Sequence, residues 1–325
     1  MLSENGISAQ EASALETMEV PLPRLDHIQA GDFGFCVENG RVSALSLRKC
    51  GLTEIPEALW QLTGLHTLIL GENPLTEISE RIGELFQLSG LYIYNTNLTS
   101  LPDSLGNLTA LHTLDLGHNR LESLPESLNK LSELAVLYIH DNRLTDVPEL
   151  LFAGLDRLVY LNIGDNSLTS LPDSISGLIS LKELRADNTR IKTLPDALGN
   201  LNQLRELHLR NNELETLPDS LGKLAQLRRL YLQGNKLETL PESVGELNSL
   251  TELDLRNNKL TVLPDSLSRL TNLVYLDSRA NPLTELPASI GNLPKLEKLD
   301  LRWTRLAAIP EWFTQLEARG CSIYL

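Results

Sequence analysis

Residues 250–272 read LTELDLRNNKLTVLPDSLSRLTN, and residues 111–133 read LHTLDLGHNRLESLPESLNKLSE, with leucine at the same positions in both. Aligned on these leucines, the chain contains twelve repeats; ten of the intervals between their starts are 23 residues and one is 24. A period of this length predicts a solenoid, in which each unit buries its apolar side chains against its neighbours. The repeats begin at Val42, Leu65, Leu88, Leu111, Leu134, Leu158, Leu181, Leu204, Leu227, Leu250, Leu273 and Leu296.

Each repeat opens with alternating leucines and continues with an asparagine at its ninth position and then a proline. Alternation places successive side chains on opposite faces of a strand, so the leucines point inward and the residues between them point to solvent. The asparagine amide donates and accepts at once, which suits the backbone groups of the turn that leaves each strand. The ninth position is occupied in this way by Asn73, Asn119, Asn142, Asn166, Asn212, Asn235, Asn258 and Asn281.

The shared pattern, LxxLxLxxNxLxxLPxxLxxLxx, resembles the leucine-rich-repeat family in the 23-residue form typical of Ras-group and many bacterial members. The resemblance extends over residues 42–317. It implies an α/β solenoid, a curved horseshoe with a parallel β-sheet on its concave side and short helical or 3-10 segments on its convex side. It also implies a ladder of hydrogen-bonded asparagines and a role in binding protein. Cys50, Thr96, Thr189 and Thr304 stand at the ladder position elsewhere, and we expect the ladder to be weaker there.

Both ends of the repeat array carry sequences suited to capping it. Asn39-Gly40 lies between two alternating runs, a pattern that predicts a hairpin over residues 31–41 covering the open end of the core. Residues 1–30 form a polar leader that we expect to be largely disordered or to include a short capping helix. At the other end, residues 318–325 form a cap tail behind Trp312 and Phe313.

The acidic composition argues against a protein that binds the nucleic-acid backbone. The formal net charge is −15, whereas proteins that bind the nucleic-acid backbone present clustered basic side chains. Eleven repeats carry Asp or Glu directly after the proline position, where an acidic group complements the start of a helical segment; −15 without those eleven charges is −4. Most of the net charge is thus explained by the starts of the helical segments and says little about the ligand, but the acidic balance leads us to expect no nucleic-acid partner.

The sequence contains no motif that indicates catalysis, such as a phosphate-binding glycine loop, a nucleophile elbow or a zinc-binding His-Glu-x-x-His. Cys36, Cys50 and Cys321 lack metal-ligand spacing and are expected to be reduced, although a bridge between Cys36 and Cys50 stays open. We predict neither an enzyme nor a cofactor or metal site. The leader lacks a secretory signal and the chain lacks an apolar membrane-spanning run, which favours a cytoplasmic location, with export by a non-classical or effector route as the alternative. A solenoid capped at both ends needs no partner subunit, so we expect a monomer.

Candidate binding residues are sought at the outward positions of the strands, because folding does not dictate their chemistry. Aromatic and histidine side chains gather at these positions in the third to sixth repeats. Tyrosine is enriched at interface hot spots, although cross-strand aromatic pairs can also serve only to stabilise a sheet. We define the aromatic cluster as Tyr92, Tyr94, His118, Tyr138, His140 and Tyr160, and add Arg185, His208 and Tyr231 further along the same face.

An arginine column follows towards the C-terminus, formed by Arg210, Arg256, Arg279 and Arg302 with Trp303 beside it. It could bind an acidic peptide or a phosphate. However, Asp254, Asp277 and Asp300 precede three of these arginines by two residues and could neutralise them. The leading hypothesis is a scaffold that binds a protein partner on its concave face. The alternatives are a secreted bacterial effector that acts on a host protein and a receptor for a small anionic ligand, which requires unpaired arginines.

Overall fold

The structure is a computed structural model that describes residues 6–18, 20–29 and 31–325. Residues 1–5, 19 and 30 of the predicted leader lie outside the described residues. The chain divides into a first compact unit that ends at Leu158 and a second unit, Val159–Leu325. The two units are built on the same repeated pattern of a short strand followed by a turn and a 3-10 segment.

The first unit begins with helix α1, Ala9–Thr17, whose start is capped by the Ser8 hydroxyl accepting from the Glu11 amide at 3.2 Å. Strands β1 and β2 pair antiparallel, with Asn39 and Gly40 at φ 51° and 77° in the connecting turn, as the predicted hairpin requires. The strands from β2 to β6 are parallel and in register. They are β1 Gly34–Glu38, β2 Arg41–Ser46, β3 Thr67–Ile69, β4 Gly90–Tyr92, β5 Thr113–Asp115 and β6 Val136–Tyr138.

The second unit continues the pattern with strands that are all parallel to their neighbours. Helix α2, Phe313–Ala318, precedes the last strand, and Phe313 and Leu316 are buried in it. The predicted cap tail thus contains one further strand of the sheet, β14. The strands are β7 Tyr160–Asn162, β8 Glu183–Arg185, β9 Glu206–His208, β10 Arg229–Tyr231, β11 Glu252–Asp254, β12 Tyr275–Asp277, β13 Lys298–Asp300 and β14 Ser322–Tyr324.

The segments that follow the turns are 3-10 helices, each only four or five residues long. In most of them the proline takes the N-cap position and the acidic residue is the first helical residue, as at Pro102 and Asp103. In the first unit they span Glu57–Gln61, Glu80–Glu84, Asp103–Asn107, Glu126–Lys130 and Leu151–Gly154. In the second they span Asp173–Gly177, Asp196–Asn200, Asp219–Lys223, Glu242–Glu246, Asp265–Arg269 and Ala288–Asn292.

The core of each unit is a stack of leucines between the strands and the 3-10 segments, and nearly all of them are completely buried. The ladder asparagines border this stack. Asn73 donates to the carbonyls of Leu47 and Leu70 at 2.8 Å and accepts from the Cys50 amide at 2.9 Å. At two of the substituted positions the contact survives, because Thr96 donates to Asn119 and Thr189 to Asn212. The implied α/β repeat fold is therefore confirmed, including its ladder.

The three cysteines are free thiols, and Cys36 and Cys321 are buried. Burial raises the pKa of all three thiols above the ordinary value, which favours their protonated form. The bridge between Cys36 and Cys50 that the sequence left open is not formed.

Candidate functional site

The candidate site lies on the strand face, defined here as the side of the parallel sheet in each unit that carries the third, fifth, seventh and eighth residues of the repeats. Leu91 and Ile93 point into the core and are completely buried, whereas Tyr92 and Tyr94 between them remain partly exposed. The period-two alternation therefore delivers these tyrosines to solvent as predicted.

The first unit holds five members of the aromatic cluster, and three of them are in direct ring contact. The ring centroids of His118 and His140 are 4.7 Å apart, and those of Tyr138 and His140 are 5.9 Å apart, in both cases with an edge-to-face arrangement. Tyr92 lies on the same face, on β4, and Tyr94 follows that strand. Tyr160 belongs to β7 in the second unit.

Glycines make room for two of the large rings. A Cβ atom at Gly71 would lie 2.7 Å from the Tyr94 ring, and one at Gly117 would lie 2.5 Å from the His140 ring. Both distances are well below van der Waals contact, so any larger residue at these positions would displace the ring. From Gly71 to His140, the seventh residue of successive repeats is thus in turn a glycine and a residue with a ring. Each glycine leaves the space that the ring of the next repeat occupies.

Acidic side chains surround the histidines of this unit. His118 Nδ1 lies 2.6 Å from Asp141 Oδ2, and both side chains are more than half exposed. Asp115 lies beneath the rings, where burial raises the pKa of its carboxyl group; the Gly117 amide, which donates to it at 3.0 Å, and the nearby His140 and His118 partly oppose that increase. The cluster is thus an aromatic surface with a negative local charge.

In the second unit, the predicted site residues contact neighbouring acidic and aromatic side chains. Arg185 bonds Glu183 at 2.6 Å and lies over the Tyr160 ring at 5.9 Å. Arg210 lies 3.9 Å from the centroid of Tyr231, whose hydroxyl donates to Glu252 at 3.0 Å. These contacts restrain the side chains and leave their edges partly exposed.

His208 differs from what its outward position suggests, since it is buried. The Tyr231 ring lies 4.7 Å from its ring, and Arg210 Nη1 lies 3.2 Å from its Nδ1. Burial lowers the pKa of His208 to about 4; the charge of Asp187 opposes this effect, and Arg185 and Arg210 add to it. His208 is therefore neutral at physiological pH and contributes little surface for a partner.

The arginine column is paired. Arg256, Arg279 and Arg302 each bind the aspartate two residues earlier, with Nη2–Oδ2 distances of 2.6, 2.7 and 2.7 Å. Cross-strand contacts join these pairs, because Arg256 Nε lies 3.5 Å from Asp277 and Arg279 Nε lies 3.4 Å from Asp300. The aspartates come from the same strand and from the next, so the column forms a neutral ladder and offers no unpaired arginine among these three.

The repeats are recognised by comparison as well as by their geometry. The family model for a leucine-rich repeat region matches residues 78–185 and 215–300, and a second leucine-rich-repeat model matches residues 179–237. The chain belongs to the leucine-rich-repeat family. A comparison with curated proteins finds no match.

Solved structures of other leucine-rich-repeat proteins share this fold. The plant peptide hormone receptor RGFR1 in complex with RGF2 is 27% identical over 90% of this chain and 51% of that one, with a TM-score of 0.69. The PEPR1-AtPEP1 structure is 26% identical, covering 92% and 48%, with a TM-score of 0.71. The functional domain of InlJ from Listeria monocytogenes is 26% identical, covering 87% and 53%, with a TM-score of 0.65. This leucine-rich-repeat protein thus spans about half the length of each of the three.

One feature of this leucine-rich-repeat protein was not anticipated from the sequence. Glu183, Glu206 and His208 bring one ligand atom each within 4.8 Å of one another, a spacing that could hold a cation. However, Arg185 and Arg229 pair with the two carboxylates, and Arg210 faces the imidazole. The sequence signal for this group was a glutamate at the third position of two consecutive repeats.

Trp303, which the sequence placed beside the arginine column as a candidate binding residue, is exposed. Its side chain is 72% exposed although its backbone is left-handed, with φ 61°, and the Arg302 guanidinium lies 5.6 Å from its ring. A bulky residue is uncommon in this conformation. Separately, none of the described helices is long and apolar enough to span a membrane.

Proposed function

We propose that this leucine-rich-repeat protein is a binding module that holds a protein or peptide ligand on the strand face of its first unit, and that it performs no catalysis. The observation that carries the proposal is the aromatic surface formed there by Tyr92, His118 and Tyr138. Their rings occupy outward positions that the leucine core does not require, and they remain partly or largely exposed. Tyrosine at such positions buries a large area on binding while losing little entropy.

The charge distribution favours a protein ligand over a small anion. An anion receptor needs arginines with unsatisfied donors, whereas Arg256, Arg279 and Arg302 already bind the carboxylates of their own strands. Around the aromatic surface, Asp115 and Asp141 supply negative charge. A ligand that presents apolar side chains beside a basic group would complement this surface.

The structural neighbours support the same class of ligand. Among them, RGFR1 was solved with RGF2, and a further structure pairs PEPR1 with AtPEP1. This chain resembles each of them over most of its own length at 26–27% identity. The likeness supports binding as the function, and the aromatic surface supplies the candidate site.

The proposal is tested by removing two rings of this surface together. We expect Tyr92→Ala with Tyr138→Ala to weaken the binding of a partner captured from source-cell lysate by at least about 30-fold, since the loss of a single hot-spot ring already costs on the order of 2 kcal/mol. The partner is first identified by mass spectrometry, and its affinity is then measured by titration calorimetry with the purified proteins.

Tyr275→Ala is the matched control, because Tyr275 is a 45% exposed tyrosine on the strand face of the second unit, outside the aromatic cluster. It should leave the affinity unchanged, and thermal unfolding should show that the double variant is folded. If the double variant loses stability while its folded fraction binds with undiminished affinity, the rings serve the sheet and the proposed site is wrong.

The proposal also includes a cytoplasmic location and a monomeric state. Free thiols suit a reducing compartment, and both units bury their leucines without a second chain. Fractionation of source cells with thiol labelling, and light scattering on the purified protein, test these two points. Recovery from the medium would instead favour the exported alternative.

A further inference from the structure

Two histidines of the first unit face each other with their Nε2 atoms 3.3 Å apart. Their ring centroids are 4.7 Å apart, and the planes are inclined by 78°. His118 is the eighth residue of its repeat and His140 is the seventh residue of the next. The stacking of these two repeats therefore brings the two Nε2 atoms together.

The backbone holds this arrangement. His118 takes the left-handed conformation at φ 57°, as eighth-position residues do throughout the array, and its amide donates to the His140 carbonyl at 3.0 Å. Gly117 leaves the space that the His140 ring fills, since a Cβ there would lie 2.5 Å from the ring. The backbone of the two repeats therefore places both rings close together, and histidine is short enough that few side-chain torsions need to be fixed.

Asp141 fixes the orientation of His118. Its Oδ2 lies 2.6 Å from His118 Nδ1, so the ionised carboxylate accepts the Nδ1 proton. In the neutral ring this places the lone pair on Nε2, the atom that faces His140. A histidine whose second nitrogen donates to a carboxylate is the arrangement that orients metal-ligating imidazoles in proteins.

The distance between the two Nε2 atoms matches a metal ion. Zn²⁺ binds imidazole nitrogen at about 2.0–2.1 Å, and two such ligands at a tetrahedral angle of about 109° lie about 3.3–3.4 Å apart. Without a metal ion, a hydrogen bond over this distance requires one of the two nitrogens to donate to the other. Asp115 and Asp141 add negative charge beside the pair.

We infer that His118 and His140 bind one divalent transition-metal ion of the Zn²⁺ class, with Asp141 as the group that orients His118. Two protein ligands leave the other coordination positions to water or to a ligand on the strand face. The two histidines lie within the aromatic surface proposed above to bind a protein, but the test below uses the metal ion alone, so its result does not depend on that proposed function.

The test is calorimetric titration of the chelator-treated full chain with Zn²⁺ alone. The wild type should bind one ion that His118→Asn or His140→Asn abolishes or weakens more than tenfold. Asp141→Asn should weaken binding by about 10- to 100-fold, the range observed when a carboxylate behind a ligating histidine is removed. All of these variants keep the three cysteines, so thiol binding cannot account for the differences.

His112→Asn is the matched control, since His112 is an exposed histidine of the same unit whose Nδ1 faces only Thr113 at 3.3 Å among the contacts described for it. It should leave the affinity unchanged, and circular dichroism should show each variant folded. Absence of Zn²⁺ binding by the wild type up to millimolar concentration would overturn the inference. So would an equal affinity in His118→Asn, or an equal loss in His112→Asn.

Discussion

The ladder asparagines form hydrogen bonds with backbone groups of the turns that follow the strands, and Asn235 is an example. Its Nδ2 donates to the carbonyls of Leu209 at 2.8 Å and Leu232 at 2.9 Å, and its Oδ1 accepts from the Leu214 amide at 3.0 Å. These backbone groups belong to residues that are completely buried, where water cannot replace the lost partner. A buried polar group left without a partner costs about 1–3 kcal/mol.

We therefore predict that Asn235→Ala lowers the free energy of unfolding by roughly 3 kcal/mol, because one substitution orphans several buried groups. Urea denaturation followed by circular dichroism measures the change. Asn202→Ala, at an exposed position of the second unit, is the control and should change stability by less than about 0.5 kcal/mol. Equal losses in the two variants would show that the ladder contributes nothing particular.

At the scale of the strand, outward side chains are joined to their neighbours rather than standing alone. Strands β11, β12 and β13 each end in an aspartate, and an arginine follows two residues later. The first two of these arginines also contact the aspartate of the next strand. Burial alone would raise the pKa of Asp300, but hydrogen bonds from Arg302 and the charges of Arg279 and Arg302 outweigh it, so the pKa is lowered. The ladder thus stays charged and paired near neutral pH.

His208 on β9 leads to a prediction about pH. Its folded pKa is about 4, below the ordinary value of 6.5, so the unfolded chain binds more protons between these values. Stability is then greatest above pH 6.5 and falls as the pH is lowered towards 4. Between pH 7 and pH 5 this one group should remove about 2 kcal/mol of unfolding free energy.

Urea denaturation at the two pH values tests this against His208→Gln, which keeps a polar side chain but does not titrate. The difference in stability between pH 7 and pH 5 should be about 2 kcal/mol smaller in the variant than in the wild type. His112→Gln, at an exposed histidine, should show the wild-type difference. If His208→Gln shows it too, the histidine is not buried in its neutral form.

The strands and the turns were predictable because the leucine spacing is a direct record of which side chains are buried. The 3-10 form of the following segments was not, since segments of four or five residues carry too little periodicity to distinguish helix types. Within the site, position predicted that Tyr92 faces solvent but also that His208 does. His208 is instead covered by Tyr231 of the next strand and by Arg210, two residues later in its own repeat, and such side-chain packing is not encoded in the repeat pattern.

At the scale of the molecule, each repeat contacts chiefly the repeats before and after it. In the second unit, Leu230 of β10 is paired in register with Leu207 of β9 and Leu253 of β11, and Leu230 is completely buried. A solenoid of this kind is stabilised by the sum of its repeats and the interfaces between neighbours. A local defect should therefore weaken the structure most strongly near its own position rather than uniformly.

Leu230→Ala tests this expectation, because it removes buried methyl groups and leaves a cavity between two neighbours at a cost of about 2–5 kcal/mol. Hydrogen–deuterium exchange followed by mass spectrometry should show the largest acceleration in peptides from β9 to β11 and little change in peptides from β14 or α1. Val262→Ala, at a 41% exposed apolar position of the same unit, should leave the exchange pattern unchanged. Uniform acceleration along the whole chain would mean that the repeats unfold as one cooperative body, and the nearest-neighbour description would then fail for this protein.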